Sequence, residues 1–464
     1  MKSTFCRYGS FSYEGHPDAE FVVVAMGSGA VTLAEVVKHL NEQGKKVGIL
    51  KVRLFRPWVK SRFLAALPAS VKKIAVLDRV KEIGGVGEPL FVDVCATLHL
   101  AGMAHIKVIG GRYGLGGKDF TPGMAMAVYD NLLSNHPKGN FTVGITDDVT
   151  NLSLPVKQEL DVLPKGTIQC LLYGLGSDGT VGANKTAIKM IATYTDSFAQ
   201  GYFEYDSKKS GGLTVSHLRF GPEPIHAPYL IKNADYIGIH KETYLQRLDI
   251  AKNLKANGTL VINCQFGADK VEQMIPDRVK YQIASKKAKL FLINASAVGV
   301  ETGLGKRINM VMQTVFFKLS QVMPFEKAVK LLEKEVDKMY GKKGDEIVKM
   351  NIAAIHKTVE RIVEVPIPAH WANATPTPIT FTRVKRTAAA GARSYSTGSL
   401  SGGRVFGSAP RRSFSTSAQR PGDCASVPSR SVSGGAAQAP STHVDEVTRS
   451  SNGIFGHFFS ANAK

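Results

Sequence analysis

Leu171–Thr186 reads LLYGLGSDGTVGANKT, an apolar run that passes into Gly174-x-Gly176-x-x-Gly179 and then into helix-forming sequence. Strand, glycine turn and helix in that order predict an α/β fold. The glycines let the backbone turn sharply and approach a ligand, and the following helix directs unpaired amides and its positive dipole end at a phosphate. Glycine fills 45 of the 464 positions, so the spacing alone is a weak signal, and its setting between strand and helix gives it weight. One strand later, Gly201-Tyr202-Phe203-Glu204-Tyr205-Asp206 leads into Ser207-Lys208-Lys209-Ser210-Gly211-Gly212. A carboxylate here suits the ribose hydroxyls of NAD, whereas Lys208 and Lys209 suit a ribose that carries its own phosphate. Glu204 and Asp206 keep NAD open and the lysine pair favours NADP or coenzyme A. The structural alternative is a glycine turn beside solvated lysines.

Outward from this stretch, strand and helix patterns alternate in both directions. Upstream, FVVVAMGSGA reads as a buried strand reaching a glycine turn, and VTLAEVVKHLNEQGKK as an amphipathic helix that stops at Gly44. VGILKVRLF, a helix from about Lys60, KIAVLDR, a helix from about Glu88, and HIKVIGG continue the pattern. Such alternation predicts a parallel sheet covered by helices. Asp78-Arg79 ends a strand at the edge where open sheets bind ligands, and packing against a neighbour explains the pair equally well. Downstream, TIQCLLYG, GYFEYDS, LTVSHLRFG, YIGIH, GTLVINC and KLFLINA read as strands. Asn309 to Lys342 reads as helix broken near Pro324, and a second, smaller apolar helix starts at about Asp345. His217, His226 and His240 lack metal-ligand spacing and read as structural or surface histidines.

The chain is long enough for two or three domains with their own cores. Its five cysteines, Cys6, Cys95, Cys170, Cys264 and Cys424, stand far apart with no CxxC pair. That spacing argues against a disulfide framework, a zinc site or an iron-sulfur cluster held by this chain, and Cys170 and Cys264 fall in strand-like core runs. No apolar run is long enough to span a membrane, and the first twenty residues do not resemble a secretory signal. The net charge of +21 raises the question of nucleic acid. Much of the excess lies in the C-terminal tail, among Arg383, Lys385, Arg386, Arg393, Arg404, Arg411, Arg412, Arg420 and Arg430, and other lysines belong to the solvated face of AVKLLEKEVDKMYGKKGDE. Nucleic acid is therefore not the expected partner.

GLGSDGTVGANKTAIKMI followed by YDSKKSGGLTVSHLRFG resembles the gamma-type domain of pyruvate:ferredoxin (flavodoxin) oxidoreductases. These thiamine-dependent iron-sulfur enzymes convert pyruvate and coenzyme A to acetyl-CoA and carbon dioxide. Upstream, VRLFRPW (Val52 to Trp58), LDRVKEIGGVGEPL (Leu77 to Leu90), GGRYGLGGKDFTP (Gly110 to Pro122) and FTVGITDDVTNLSL (Phe141 to Leu154) resemble the domain that precedes it in the same enzymes. The likeness is collinear from about His16 to Trp371. It implies two consecutive open, mainly parallel sheet domains in the middle of a larger enzyme. Residues 1–140 correspond to a transketolase C-terminal-like domain, 141–165 to a linker, 166–371 to a Rossmann-like gamma-type catalytic domain, and 372–464 to a low-complexity basic tail. The transketolase likeness favours the packing role for Asp78-Arg79, because that domain is not the thiamine site.

The resemblance further implies that Gly176, Ser177, Asp178, Gly179, Thr180, Lys208, Asn309 and Asn351 bind coenzyme A. Loop amides and the helix end take a pyrophosphate, Lys208 meets a phosphate, and the asparagines hydrogen-bond the adenine or pantetheine amides. Each asparagine has a rival role as a helix cap or buried polar contact. No catalytic residue and no metal ligand is assigned to this chain. Thiamine diphosphate, magnesium and [4Fe-4S] clusters are expected from domains or chains other than this one. Ferredoxin or flavodoxin is the implied electron acceptor, a homodimer the implied assembly and the cytoplasm the expected compartment, with a mitochondrion or hydrogenosome-like organelle as the alternative. Rival readings are a segment of a pyruvate:NADP oxidoreductase or a sulfite reductase flavoprotein-like chain, and a non-catalytic scaffold. From about Thr375 the sequence turns rich in Ser, Ala, Gly and Arg, a composition expected to remain disordered and resembling a mitochondrial targeting peptide away from its usual amino-terminal place. Its close, GIFGHFFSANAK, reads as a docking segment.

Overall fold

The computed structural model describes residues 9–147, 149–206 and 211–376, and the backbone of 456–461. The first half runs β1 (Phe11–Gly15), β2 (Phe21–Met26), α1 (Ser28–Glu42), β3 (Val47–Val52), α2 (Lys60–Ala65), β4 (Lys73–Asp78), α3 (Pro89–Leu100), β5 (Lys107–Tyr113), α4 (Pro122–Leu133) and β6 (Phe141–Val143). Its strands form a six-stranded sheet in the order β1-β3-β2-β4-β5-β6, parallel except for β1. Buried Val, Ile and Leu occupy both faces of β2 and β4, as a sheet covered on two sides requires. Residues 141–165 begin as β6, so they contribute a strand to this sheet as well as the run to the next.

Asp78 closes β4, and its carboxylate accepts the Leu90 and Phe91 amides, each at 3.1 Å, at the start of α3. Burial nevertheless raises its pKa. Arg79 Nε donates to Gly114 O at 3.4 Å. Asp78 thus ties the end of β4 to the start of α3, whereas Arg79 is exposed.

The second half runs β7 (Ile168–Leu175), α5 (Thr180–Tyr194), β8 (Phe198–Tyr205), β9 (Leu213–Gly221), β10 (Ala234–Ile239), α6 (Tyr244–Arg247), β11 (Leu254–Asn263), α7 (Val271–Met274), α8 (Asp277–Ser285), β12 (Lys289–Ile293), α9 (Ala295–Glu301), α10 (Asn309–Ser320), α11 (Phe325–Tyr340), α12 (Asp345–Arg361), β13 (Val363–Val365) and β14 (Gly456–Ala461). The eight-stranded order is β13-β12-β11-β10-β7-β9-β8-β14. β12, β11, β10 and β7 are mutually parallel, whereas β9 is antiparallel to both β7 and β8. The helix expected to break near Pro324 does so, because proline lacks the amide a continuous helix needs: α10 ends at Ser320 and Pro324 precedes α11. The helix from Asp345 is shorter, as expected, than the stretch from Asn309 to Lys342 taken whole. At 17 residues it nonetheless exceeds α11 at 16.

One apolar core lies between this sheet and α5, α10, α11 and α12, and a second on the opposite face under α8. Cys170 and Cys264 are buried, as expected for core residues. Arg219 on β9 is 1% exposed. It donates to Gln169 Oε1, Gln200 Oε1 and the carbonyls of Ala227 and Tyr229 at 2.9–3.1 Å, which ties the segment after β9 to the sheet. The two sheets belong to one compact unit. The Leu230 amide donates to the Asp119 carboxylate at 3.1 Å, and Lys232 pairs with Glu159 at 2.7 Å.

Candidate functional site

β7 delivers the glycine loop to the end of the sheet where the parallel strands have their C-termini, the edge at which open α/β sheets take ligands. A side chain on Gly174 would come within 2.6 Å of Thr180 Oγ1, so this glycine leaves the slot into which Thr180 packs, fully buried. Ser177 and Gly179 have φ of 74° and 87°. Gly179 meets a second constraint, because a Cβ there would run into the Asn309 amide.

The loop is shaped by its own carboxylate. Asp178 Oδ2 accepts the Leu175 amide at 2.9 Å and Oδ1 accepts the Thr180 amide at 2.7 Å. This corrects the simple picture of a helix end whose amides all await a phosphate, since the Thr180 amide is already taken. Among the described residues no protein acceptor meets the amides of Ser177, Gly179, Val181 and Gly182, which are therefore the ones left for an anion.

Across the loop, the Gly176 amide donates to Gly212 O at 2.7 Å and the Gly211 amide returns to Gly176 O at 3.2 Å. The β8–β9 connection is thus held to the glycine loop at its described end. Lys208 and Lys209 lie outside the described residues. Between the loop and the β8–β9 wall is a cleft of about 410 Å³, lined by Ser177, Asp178, Gly179 and Val181 on one side and Tyr205, Asp206 and Thr214 on the other. Its described lining holds two carboxylates and no lysine or arginine.

The other sequence-derived candidates divide. Asn309 sits against Gly179 at the start of α10, with Oδ1 buried and without a partner among the described residues. Asn351 lies in α12 with Nδ2 donated to Ile347 O at 2.7 Å, and it does not line the cleft. Thr180 turns inward, placing Oγ1 2.8 Å from His240 Nδ1. Glu204, which kept NAD open in the sequence, is engaged by His217 Nε2 at 2.9 Å, whereas Asp206 does line the cleft.

Two residues near the site, Thr214 and His240, the latter read only as a structural or surface histidine, take their meaning from the fold. Thr214 carries a buried hydroxyl with no partner among the described residues. Burial pushes the His240 pKa down to about 4, against a weaker opposing pull from Asp178, so the imidazole is neutral at pH 7. Thr214 lies within LTVSHLRFG without standing out there, and the strand pairing that brings β9 and β10 to the ends of β7 is what places both residues at the site.

Among the described residues no group of three or more His, Cys, Asp and Glu is placed to hold a metal ion. Burial pushes the Cys264 thiol up to about 12 and holds the Cys170 thiol well above its ordinary range.

Residues 169–361 match the family model described as pyruvate ferredoxin/flavodoxin oxidoreductase, and residues 19–124 match pyruvate:ferredoxin oxidoreductase core domain II. Over 368 residues, 79% of this chain, the sequence is 52% identical to the pyruvate:ferredoxin oxidoreductase of Moorella thermoacetica, of which it covers 31%. Over 385 residues, 81% of this chain, it is 49% identical to the mitochondrial pyruvate dehydrogenase [NADP(+)] of Euglena gracilis, of which it covers 21%. The structure of pyruvate oxidoreductase subunit PORC from Thermotoga maritima aligns with 44% of this chain and 100% of its own length, at 18% identity and a TM-score of 0.36. The chain thus spans less than a third of the length of these two sequence relatives. With two family models matched in succession and about half of its residues shared with these relatives, the chain belongs to the pyruvate ferredoxin/flavodoxin oxidoreductase family.

Proposed function

We propose that this chain contributes the coenzyme A surface of a thiamine-dependent pyruvate oxidoreductase, which converts pyruvate and coenzyme A to acetyl-CoA and carbon dioxide and passes electrons to ferredoxin or flavodoxin. The observation that carries the reading is the cleft at the glycine loop. It combines a preformed turn, four amides without protein acceptors among the described residues and the buried Asn309 Oδ1 beside Gly179. Loop amides of Ser177 and Gly179 receive the pyrophosphate, Asn309 meets an amide or adenine group, and Lys208 neutralises a phosphate. Asp178 and Thr180 shape the loop from within, and Asn351 bonds within α12. Residues 1–140 and 166–371 act as two domains joined by 141–165, with 372–464 as the tail. Thiamine diphosphate, magnesium and [4Fe-4S] clusters come from other domains or chains of a homodimeric assembly in the cytoplasm or, alternatively, in a mitochondrion or hydrogenosome-like organelle.

A second reading, a segment of a pyruvate:NADP oxidoreductase, draws on the relative from Euglena gracilis that is named for NADP. The same coenzyme A surface serves both, and the readings differ in the electron acceptor.

The test is calorimetric titration of the full chain with coenzyme A, dephospho-coenzyme A, NADP and NAD, in wild type and Lys208→Ala. Coenzyme A is expected to bind, more weakly without its 3′-phosphate and more weakly again in the variant. Tighter binding of NAD or NADP than of coenzyme A would overturn the proposal.

A further inference from the structure

Behind the glycine loop lies a buried imidazole that the proposed ligand contacts do not use. His240 follows β10, and its backbone is fixed from both sides. Its amide donates to Tyr173 O at 2.9 Å, and its carbonyl accepts Asn263 Nδ2 at 3.0 Å. Asn263 Oδ1 in turn accepts the Ala295 amide at 3.0 Å, so the ends of β7, β10 and β11 and the start of α9 locate this residue together.

The imidazole faces Thr180, the first residue of α5, with Nδ1 and Oγ1 2.8 Å apart. Nε2 is buried without a partner among the described residues. An ordinary core histidine satisfies both nitrogens, since a buried unpaired polar group costs about 1 to 3 kcal/mol. The arrangement here leaves one nitrogen unsatisfied while the other is spent on the residue that begins the phosphate-facing helix. Thr180 is held from three directions: its amide by Asp178, its hydroxyl by His240, and its side chain in the slot that Gly174 leaves open.

We propose that His240 is a positioning residue for the glycine loop, fixing the first turn of α5 through Thr180 and so holding the free amides of Ser177, Gly179, Val181 and Gly182 in a geometry that receives a phosphate. The inference rests on the coenzyme A reading for its functional consequence and on the free protein for its structural one. Removing either member of the pair loosens the turn while leaving all four amides in the sequence.

The experiment uses the full chain as wild type, His240→Phe, Thr180→Val and Thr180→Ser. Amide hydrogen exchange without ligand is followed over residues 174–184 and over β10 and β11, and calorimetry with coenzyme A follows. Leu175 and Thr180, whose amides are bonded to Asp178, are expected to exchange at least tenfold faster in His240→Phe and Thr180→Val, with β10 and β11 unchanged. Thr180→Ser, which keeps the hydroxyl, should behave as wild type, and coenzyme A affinity should fall about tenfold in the first two variants only. If His240→Phe also disturbs β10 and β11, Thr180→Val decides, because it leaves the imidazole in place. Loop exchange unchanged in Thr180→Val overturns the inference. Loop exchange that responds in a protein whose wild type does not bind coenzyme A overturns the ligand reading and leaves the positioning role standing.

Discussion

Gly179 and Gly182 stand three residues apart at the same helix start, and the structure assigns opposite signs to the same substitution at the two. At Gly179, alanine must adopt φ near 87°, which costs an L-residue about 1 to 2 kcal/mol. Its Cβ would also collide with the Asn309 amide, and overpacking of this kind costs about 1 to 3 kcal/mol. The reduced freedom of the unfolded chain returns about 0.4 to 1 kcal/mol. The net expectation for Gly179→Ala is destabilisation by about 1 to 5 kcal/mol. At Gly182, already helical, a Cβ meets nothing within 4 Å. Alanine there should stabilise by about 0.5 to 1 kcal/mol. Urea denaturation of the full-length variants, followed by far-ultraviolet circular dichroism, measures both. The unfolded-state effect is common to the pair, so the difference in midpoint reports the native loop. A Gly179→Ala protein as stable as wild type would refute the placement of Asn309 against the loop, and equal effects at both positions would refute the loop conformation.

Three other expectations follow from burial and pairing. Arg219→Lys should cost about 3 to 5 kcal/mol in the same denaturation assay, because a single ammonium cannot reach the four acceptors that the guanidinium spans; a loss under 1 kcal/mol would show the network to be dispensable. The His240 pKa falls from 6.5 to about 4 on folding, so its contribution is complete above the unfolded value and is lost as pH drops through the folded one, at most about 3 kcal/mol. Stability of His240→Phe measured between pH 7 and 4 should therefore decline less steeply than that of wild type, and parallel curves would contradict the assignment. Finally, β14 covers the edge of β8 in the register Gly456↔Glu204 to Ala461↔Ala199. Ending the chain after Pro376 should raise hydrogen exchange at the outward amides of β8, an edge strand once uncovered, and unchanged exchange would mean the pairing does not persist in solution.

The parts of this fold that were legible in sequence are those set by local pattern. The apolar run before Gly174, the helix start after Gly179 and the break at Pro324 each depend on a few adjacent residues, and each stands where the pattern put it. Pairing between distant strands was not legible. Reading Gly201–Asp206 as the second strand of a nucleotide fold assumed that it lies beside β7. Instead β9 takes that place, with Gly174 opposite Thr214, and β8 lies one strand further out. The rule that seeks a ribose-binding carboxylate at the end of the second strand therefore lost its geometric basis, and Glu204 is found with His217. His240, read in sequence as structural or surface, is buried, but its contact with Thr180 was not legible for a related reason. Its meaning depends on a parallel pairing between β10 and β7 across more than sixty positions, which histidine spacing does not encode.

The electrostatics of the cleft bear on the proposed role of the lysine pair. Asp178 occupies part of the site that a helix end ordinarily reserves for an anion, and Asp206 stands on the facing wall. The arrangement has a gain and a cost. An internal carboxylate holds the turn in shape before any ligand arrives, which reduces the ordering entropy lost on binding. The same negative charge on Asp178 opposes the entry of an anion that the loop amides would receive. A phosphate ligand therefore requires cations from outside the described lining, and the connection between Asp206 and Gly211 carries Lys208 and Lys209. Asp178 thus builds the loop from within, and under the proposed coenzyme A reading the lysine pair Lys208-Lys209 in the sequence would supply the charge that offsets it.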